Sequence, residues 1–307
     1  MDSIRTLAKQ LSNWGRWGAE DERGTLNFIT PEVVKRAAGL VKRGQVFSLG
    51  LTFGAEGPQI GQGGRVNPLH LMTAVDQKLP GDYPDGFRYA DDVMVLPLQC
   101  ATQWDSLAHV HYDGQLYNGF PAATTSPAGA AKCGIDKVGP GIVSRGVLLD
   151  VARLKGVPRL APGTAISPAD LEAAEHAQGV RVERGDVLLV RTGHLGVFTA
   201  DGDRVGYMRM MPGLGIACAA WLHAREVAAV ASDTNSVEVI PFEDPMTPLP
   251  LHLLALRDMG LTLGEMFALD ALADDCAADG VWEFLFTAPP LRVSGGIGSP
   301  LNPLAVK

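Results

Sequence analysis

Short apolar runs alternate along the chain with stretches rich in glycine, proline and turn formers, and no single period dominates. Residues 46–53, 93–98, 146–151, 186–191, 227–231, 261–267 and 284–286 read as strands. Each is a compact apolar or β-branched run bounded by turn residues. Helices are marked by their ends. Thr30 followed by Pro31 is an N-cap with proline at the first helical position, and Val33, Val34, Ala37 and Leu40 or Val41 share one face through about residue 41. Ser167-Pro168-Ala169-Asp170 is a stronger helix start, with Gly179 as its stop. Residues 213–224 and 249–257 carry helical patterns, the second holding His252 and closing at Gly260, and Asp270 caps a helix through about residue 278. Residues 13–29 predict an ordered loop, with Trp14 and Trp17 as anchors on the body or walls of a ligand pocket. Residues 54–68 predict a long Gly/Pro-rich loop able to wall a pocket, and residues 295–303 an irregular tail.

Strands and helices alternate loosely and give no regular βαβ series. A mixed α/β single domain over residues 1–307, with a loop and helix extension at 1–45, fits better than a doubly wound nucleotide fold. Gly295-Gly296-Ile297-Gly298 opens no helix and is no phosphate loop. Composition changes the picture mainly by exclusion. At 307 residues, 46% hydrophobic and 20% charged, the chain can bury a large core. A net charge of −8 disfavours nucleic acid and anionic membranes as partners. No apolar run reaches the roughly 18–20 residues of a membrane span, and residues 1–14 lack the pattern of a signal peptide. The four cysteines are scattered, with no C-x-x-C pair, as expected for reduced thiols in a cytoplasmic protein.

One stretch gathers the chemistry. Gln99-Cys100-Ala101-Thr102-Gln103-Trp104-Asp105-Ser106-Leu107-Ala108-His109-Val110-His111 holds two amides, a carboxylate and two imidazoles. If extended, it sends Gln99, Gln103, Asp105, His109 and His111 to one side and Cys100, Trp104 and Ala108 to the other. Carboxylate and amide oxygens with imidazole nitrogens suit divalent cations such as Mn²⁺, Zn²⁺ or Mg²⁺. A polar outer face on an edge strand would give the same alternation.

The stretch resembles the H-x-G-T-H-x-D-x-P-x-H motif of the cyclase-like metal-dependent hydrolases, which include bacterial kynurenine formamidase, isatin hydrolase and trans-dienelactone hydrolase. Thr102, Asp105 and His109 fall on identical residues. Gln99 and Gln103 stand where the first two histidines would be, Ala101 replaces Gly, and Leu107 replaces Pro. The glutamines are most similar to the trans-dienelactone hydrolase branch. Residues 145–150 and 185–193 resemble two core strands of the family, and His252 and Glu265 its late His and Glu. The resemblance implies a swivelling β/β/α fold and a homodimer or homotetramer. It implies metal ligation by Gln99, Gln103, Asp105, His252 and Glu265, with His109 as the catalytic proton shuttle. Replacing imidazole by amide oxygen implies a shift from Zn²⁺ toward Mn²⁺. The activity implied is metal-dependent hydrolysis of a small molecule: a lactone, cyclic amide or formamide. An imidazole, titrating at about 6.5 in water, suits the shuttle. A metal-free binding protein, or a lyase or dehydratase using the same site, are the alternatives.

Other groups carry weaker expectations. His70, His111 and Trp17 are candidates for substrate contact. Arg65, Arg145 or Arg292 could hold a substrate carboxylate. His176, His194 and His223 fall on surface positions by pattern. Asp233, Asn235 and Glu238 follow a strand end, where either a functional group or a solvated turn would sit. Ser106 lacks the G-x-S-x-G elbow of a serine hydrolase.

Overall fold

The computed structural model describes residues 1–84 and 86–307. Its centre is a nine-stranded mixed sheet. In chain order its strands are β1 (Val46–Ser48), β4 (Gln103–Asp105), β5 (Val143–Asp150), β6 (Val187–Arg191), β7 (Ala229–Ser232), β8 (Thr262–Glu265), β9 (Glu283–Thr287), β10 (Gly298–Pro300) and β11 (Leu304–Val306). Strands β2 (Leu69–Gln77) and β3 (Tyr89–Val95) form a separate antiparallel hairpin. The spatial order is β1-β11-β9-β5-β6-β7-β8-β4-β10. Strands β5 to β8 run parallel, and every other pairing within this sheet is antiparallel.

Parallel strands bury both faces, so their sequences read as continuous apolar runs. The structure splits those runs with period two. Val147, Leu149, Leu188, Val190 and Val230 join one core. Leu148, Val187, Leu189, Ala229 and Ala231 join the other, with Trp104, Phe284 and Phe286.

Helix α1 (Asp2–Leu11) is not among the expected elements. Its apolar stripe, Ile4, Ala8 and Leu11, lies at i, i+4 and i+7 and is buried. The helix after Ser167 runs Pro168–Gln178 with a complete capping box and Gly179 left-handed at its end, as the pattern predicts. The helix after Thr30 is shorter than expected, Pro31–Ala38. Residues 213–217 are not helical, and the helix is Cys218–Ala224. Residues 49–53 leave the sheet after β1. The tail corrects an expectation most directly. Residues 298–300 and 304–306 are strands, with Gly298 close against its neighbours rather than loose in a loop.

Trp14 and Trp17 act as anchors. Trp14 Nε1 donates to Arg257 O at 2.8 Å, and Asn13 Nδ2 donates to Met259 O at 2.8 Å. Trp17 packs edge-on to Phe28 at 5.0 Å. The amino-terminal segment is thereby stapled to the end of the helical residues 250–259 that begin near His252. No helix among the described residues is long and apolar enough to cross a membrane.

Candidate metal centre

Strands β4 and β8 bring the first groups together. Glu265 stands directly opposite Gln103 and Gly264 opposite Trp104. Gln103 Nε2 donates to Glu265 Oε2 at 2.6 Å. Trp104 points the other way into the core, its Nε1 donating to Ala288 O at 2.9 Å. Asp105, two residues beyond Gln103, returns to the Gln103 side. Strand β10 closes the flank, with Gly298 opposite Asp105. A Cβ at 298 would fall 2.8 Å from Gln99 Nε2 and 3.2 Å from Gln103 Oε1, so both glutamine amides abut this glycine.

His252 enters from the short helix Pro250–His252. Glu238 fixes it from behind. The Glu238 carboxylate accepts from the amides of Leu251 (3.2 Å) and His252 (2.9 Å) and lies 2.5 Å from His252 Nδ1. With Nδ1 engaged, Nε2 faces Glu265 Oε1 at 3.3 Å and Asp105 Oδ2 at 3.9 Å. One ligand atom each from Asp105, His252 and Glu265 lies within 4.8 Å of the others, and all three residues are buried.

Three of the eight non-glycine residues with positive φ among the described residues lie here. Val237 (φ 57°), Leu249 (φ 51°) and Met266 (φ 58°) are left-handed without being glycine. They sit next to Glu238, at the start of the helix that carries His252, and next to Glu265. A β-branched residue in that region is an outlier that persists only where its surroundings enforce it.

The electrostatics fit a cation. Both oxygens of Asp105 and Oε1 of Gln103 are buried without a hydrogen-bond partner. Leaving a carboxylate in that state costs several kcal/mol, and a bound cation removes the cost. Burial pushes the Asp105 carboxyl above its ordinary range; His109 opposes this, Glu265 reinforces it, and His252 and Arg65 oppose it further. Burial pulls the His252 imidazole down, but its bonds to Glu238 and Glu265 carry it up to about 10. Those carboxylates would favour a metal ion at Nε2 for the same reason. Two carboxylates, an imidazole and an amide oxygen make a mainly hard donor set suited to a divalent cation.

His109 does not arrive by strand alternation. β4 ends at Asp105, and a turn closed by His109 N donating to Ser106 O at 3.0 Å brings the ring round. Its Nε2 lies 3.7 Å from Asp105 Oδ1, and its Nδ1 has no partner. His109 also lines a pocket of about 440 Å³, with His111 at the rim and Val110, Pro248, Leu249 and Leu253 as apolar walls.

Several expected contacts lie elsewhere. His70 is exposed on the hairpin, 2.7 Å from Asp92, and Trp17 packs on Phe28, so neither is in the pocket. Arg145 is consumed by Asp186 and Glu283, at 2.6 and 2.5 Å, and Arg292 is exposed. Arg65 is the arginine whose charge reaches Asp105. His194 is fully buried against Tyr207 rather than at the surface. Glu238 is the residue whose role the sequence hides: it follows a strand end, and no spacing rule ties it to a histidine fourteen residues on.

The cyclase family model matches residues 45–239. The chain is 40% identical to the crystal structure of a novel cyclase, over 98% of this chain and 99% of that chain, with a TM-score of 0.89. It is 20% identical to isatin hydrolase A from Ralstonia solanacearum, over 91% and 99% of the two chains, with a TM-score of 0.64. It is 18% identical to isatin hydrolase A from Labrenzia aggregata bound to benzyl benzoate, over 88% and 94%, with a TM-score of 0.62. A search of curated proteins gave no match.

Proposed function

The chain belongs to the cyclase family, and on that premise we propose that it is a metal-dependent hydrolase opening a lactone, cyclic amide or formamide. The observation that carries the reading is the Asp105 carboxylate. It is wholly buried, neither oxygen has a hydrogen-bond donor, and it faces His252 Nε2 and Glu265. Asp105, His252 and Glu265 would hold a divalent cation, with the carbonyl oxygen of Gln103 turned to the same side and Gln99 beside it. The oxygen-rich set favours Mn²⁺ over Zn²⁺.

A cation held there would polarise a carbonyl and lower the pKa of water. The rest falls to the chain. Glu238 holds the His252 ring so that Nε2 faces the site. Gln103 Nε2 orients Glu265 from across the strand pair. His109, part-exposed at the inner end of the pocket, takes a proton at a ring nitrogen and returns it to the leaving group. The apolar walls at Val110, Leu249 and Leu253 seat the hydrocarbon part of the substrate and thin out water around the reacting carbonyl. Arg65, through its field at Asp105, favours an anionic group on substrate or product.

The test is metal analysis of protein purified without chelator, followed by a panel of lactones, cyclic amides and formamides turned over in ¹⁸O-labelled water. Bound metal near one equivalent and label in the product carboxylate are expected. Metal-free protein whose turnover is unchanged by added Mn²⁺ or Zn²⁺ sinks the reading. A product without label points to elimination at the same site.

A further inference from the structure

Arg65 carries a charge that nothing in the chain uses. Among the described residues, Arg65, Arg181, Arg209 and Arg292 are the arginines whose guanidinium has no hydrogen-bond or ion-pair partner. The last three are exposed, whereas Arg65 is half-buried. Shielding a cation from water without a partner opposes folding unless an anion completes it.

Two features set Arg65 beside the candidate centre. Leu69 stands opposite Val95 in the β2–β3 register, so the segments that hold Arg65 and Gln99 leave the hairpin side by side. The second feature is a brace. Gln59 Nε2 donates to Cys100 O at 2.8 Å and to Gln99 O at 3.4 Å. Gln59 is tied in turn to Asn67. Its N donates to Asn67 Oδ1 at 2.9 Å, and Asn67 Nδ2 donates to Gln59 O at 3.2 Å. The segment 59–67 is thereby closed on itself and held against the backbone of Gln99. Arg65 lies within it, and its charge is felt at Asp105.

A metal ion does not explain this arginine. A divalent cation held by Asp105, His252 and Glu265 repels a guanidinium whose charge reaches Asp105. Arg65 therefore weakens the hold on the ion, and its charge is matched only by an anion that arrives with the substrate.

We propose that Arg65 is a specificity-determining residue, selecting substrates that carry a free carboxylate separate from the carbonyl to be opened. The inference rests on the hydrolase reading and narrows its substrates to acids. A planar guanidinium meets a carboxylate with two parallel hydrogen bonds. One arginine balances one charge, and the buried Asp105, Glu238 and Glu265 oppose a dianion such as a phosphate monoester. Arg65 does not line the pocket that His109 shares with Val110, Leu249 and Leu253. The carboxylate end of the substrate is therefore distinct from the hydrocarbon part seated there.

Matched pairs of compounds test this. Each pair is a lactone, cyclic amide or formamide with a side-chain carboxylate, and the same compound with that carboxylate as a primary carboxamide. Binding to Mn²⁺-loaded protein is measured by calorimetric titration, and kcat/KM wherever turnover occurs. Wild type is expected to favour the acid of at least one pair by about 10- to 100-fold. Arg65→Met should remove most of that preference and leave affinity for the carboxamide within about threefold. Arg65→Lys should keep part of the preference, and Arg292→Met, on an exposed arginine, all of it. Arg65→Met should bind Mn²⁺ as tightly as wild type or more tightly. The proposal is overturned if wild type prefers no acid, if the preference survives in Arg65→Met, or if acid and carboxamide lose affinity alike. Weaker Mn²⁺ binding by Arg65→Met overturns it too, because Arg65 would then support the ion rather than the substrate. The hydrolase reading fails on a different result: unmodified protein that binds no metal.

Discussion

Two carboxylates, both wholly buried at strand ends of one sheet, meet opposite fates in this molecule. Asp233, just past β7, accepts from Thr192 N at 2.9 Å, Thr192 Oγ1 at 2.6 Å and Gly193 N at 2.6 Å, and so pins the end of β6 to that of β7. Asp105, at the end of β4, accepts from nothing. Folding alone accounts for the first, because every lone pair it buries is used. It does not account for the second, whose burial opposes folding unless a cation completes it. Burial therefore marks neither as functional. The unspent hydrogen-bonding capacity of Asp105, aimed at an imidazole and a second carboxylate, is what separates a site from a strut.

The largest expected effect follows from that contrast. Asp105→Asn should lower kcat/KM by about 10³-fold or more, yet metal-stripped variant protein should unfold in urea at no lower concentration than stripped wild type. Asp233→Asn should do the reverse. An amide placed against the Thr192 and Gly193 donors should cost about 2–3 kcal/mol of stability, with the rate per folded molecule changed less than about tenfold. Equal losses of rate in the two variants would erase the distinction. Metal should sharpen it next. At a hundred times its dissociation constant, Mn²⁺ should stabilise wild type and Asp233→Asn by about 2.7 kcal/mol, and Asp105→Asn hardly at all. Thermal shifts with and without the ion would read this directly.

Glu238 extends the comparison to a carboxylate that acts through another group. It bonds to His252 twice, at the amide and at Nδ1, and to the Leu251 amide once, and of the cluster Asp105, His252 and Glu265 it reaches His252 alone. Glu238→Gln keeps its shape but leaves one acceptor oxygen for the two amides, and it loses the charge behind the ring. Metal affinity, measured by calorimetric titration, should fall about 10- to 100-fold, with kcat at saturating metal falling much less. A variant with unchanged affinity would make Glu238 a helix-capping residue only.

Much of this was legible in the sequence, for reasons that also explain the gaps. The parallel strands showed as apolar runs because both of their faces are covered, and the helix at Pro168 showed because its caps are local chemistry. Asp105, His252 and Glu265 stood out through the resemblance rather than through periodicity. Strand alternation placed Gln103 and Asp105 together, but it failed for His109, because Leu107 and Ala108 turn the chain. Helix α1 is not legible in the sequence: its stripe of Ile4, Ala8 and Leu11 is short, and residues 250–259 complete it from far along the chain. The tail strands were hidden for a related reason. Gly298 is required by close approach to two glutamines, yet in sequence it reads as a loop glycine. Glu238 could not be paired with His252 until folding joined the end of β7 to the helix.

The smallest expected effect is a pH dependence, and it bears on Asp233 alone. Burial pushes its carboxyl up to about 6; the bonds from Thr192 and the charge of Arg191 oppose this, and Asp270 adds to it. In the unfolded chain the same group titrates at about 3.9. The folded state therefore holds this proton more tightly, so the group's contribution to stability is complete below about pH 3.9 and disappears as pH rises through about 6. Between pH 5 and pH 7 the change is about 1 kcal/mol. Other groups titrate over that range too, but they cancel when wild type is compared with Asp233→Asn. In urea unfolding the stability gap between the two should narrow by that amount at pH 7. A gap that stays constant would mean that the donors on Thr192 and Gly193 outweigh burial and keep Asp233 ionised throughout. The strut would then resemble the site in charge, and would differ from it only in having its charge fully solvated by the protein.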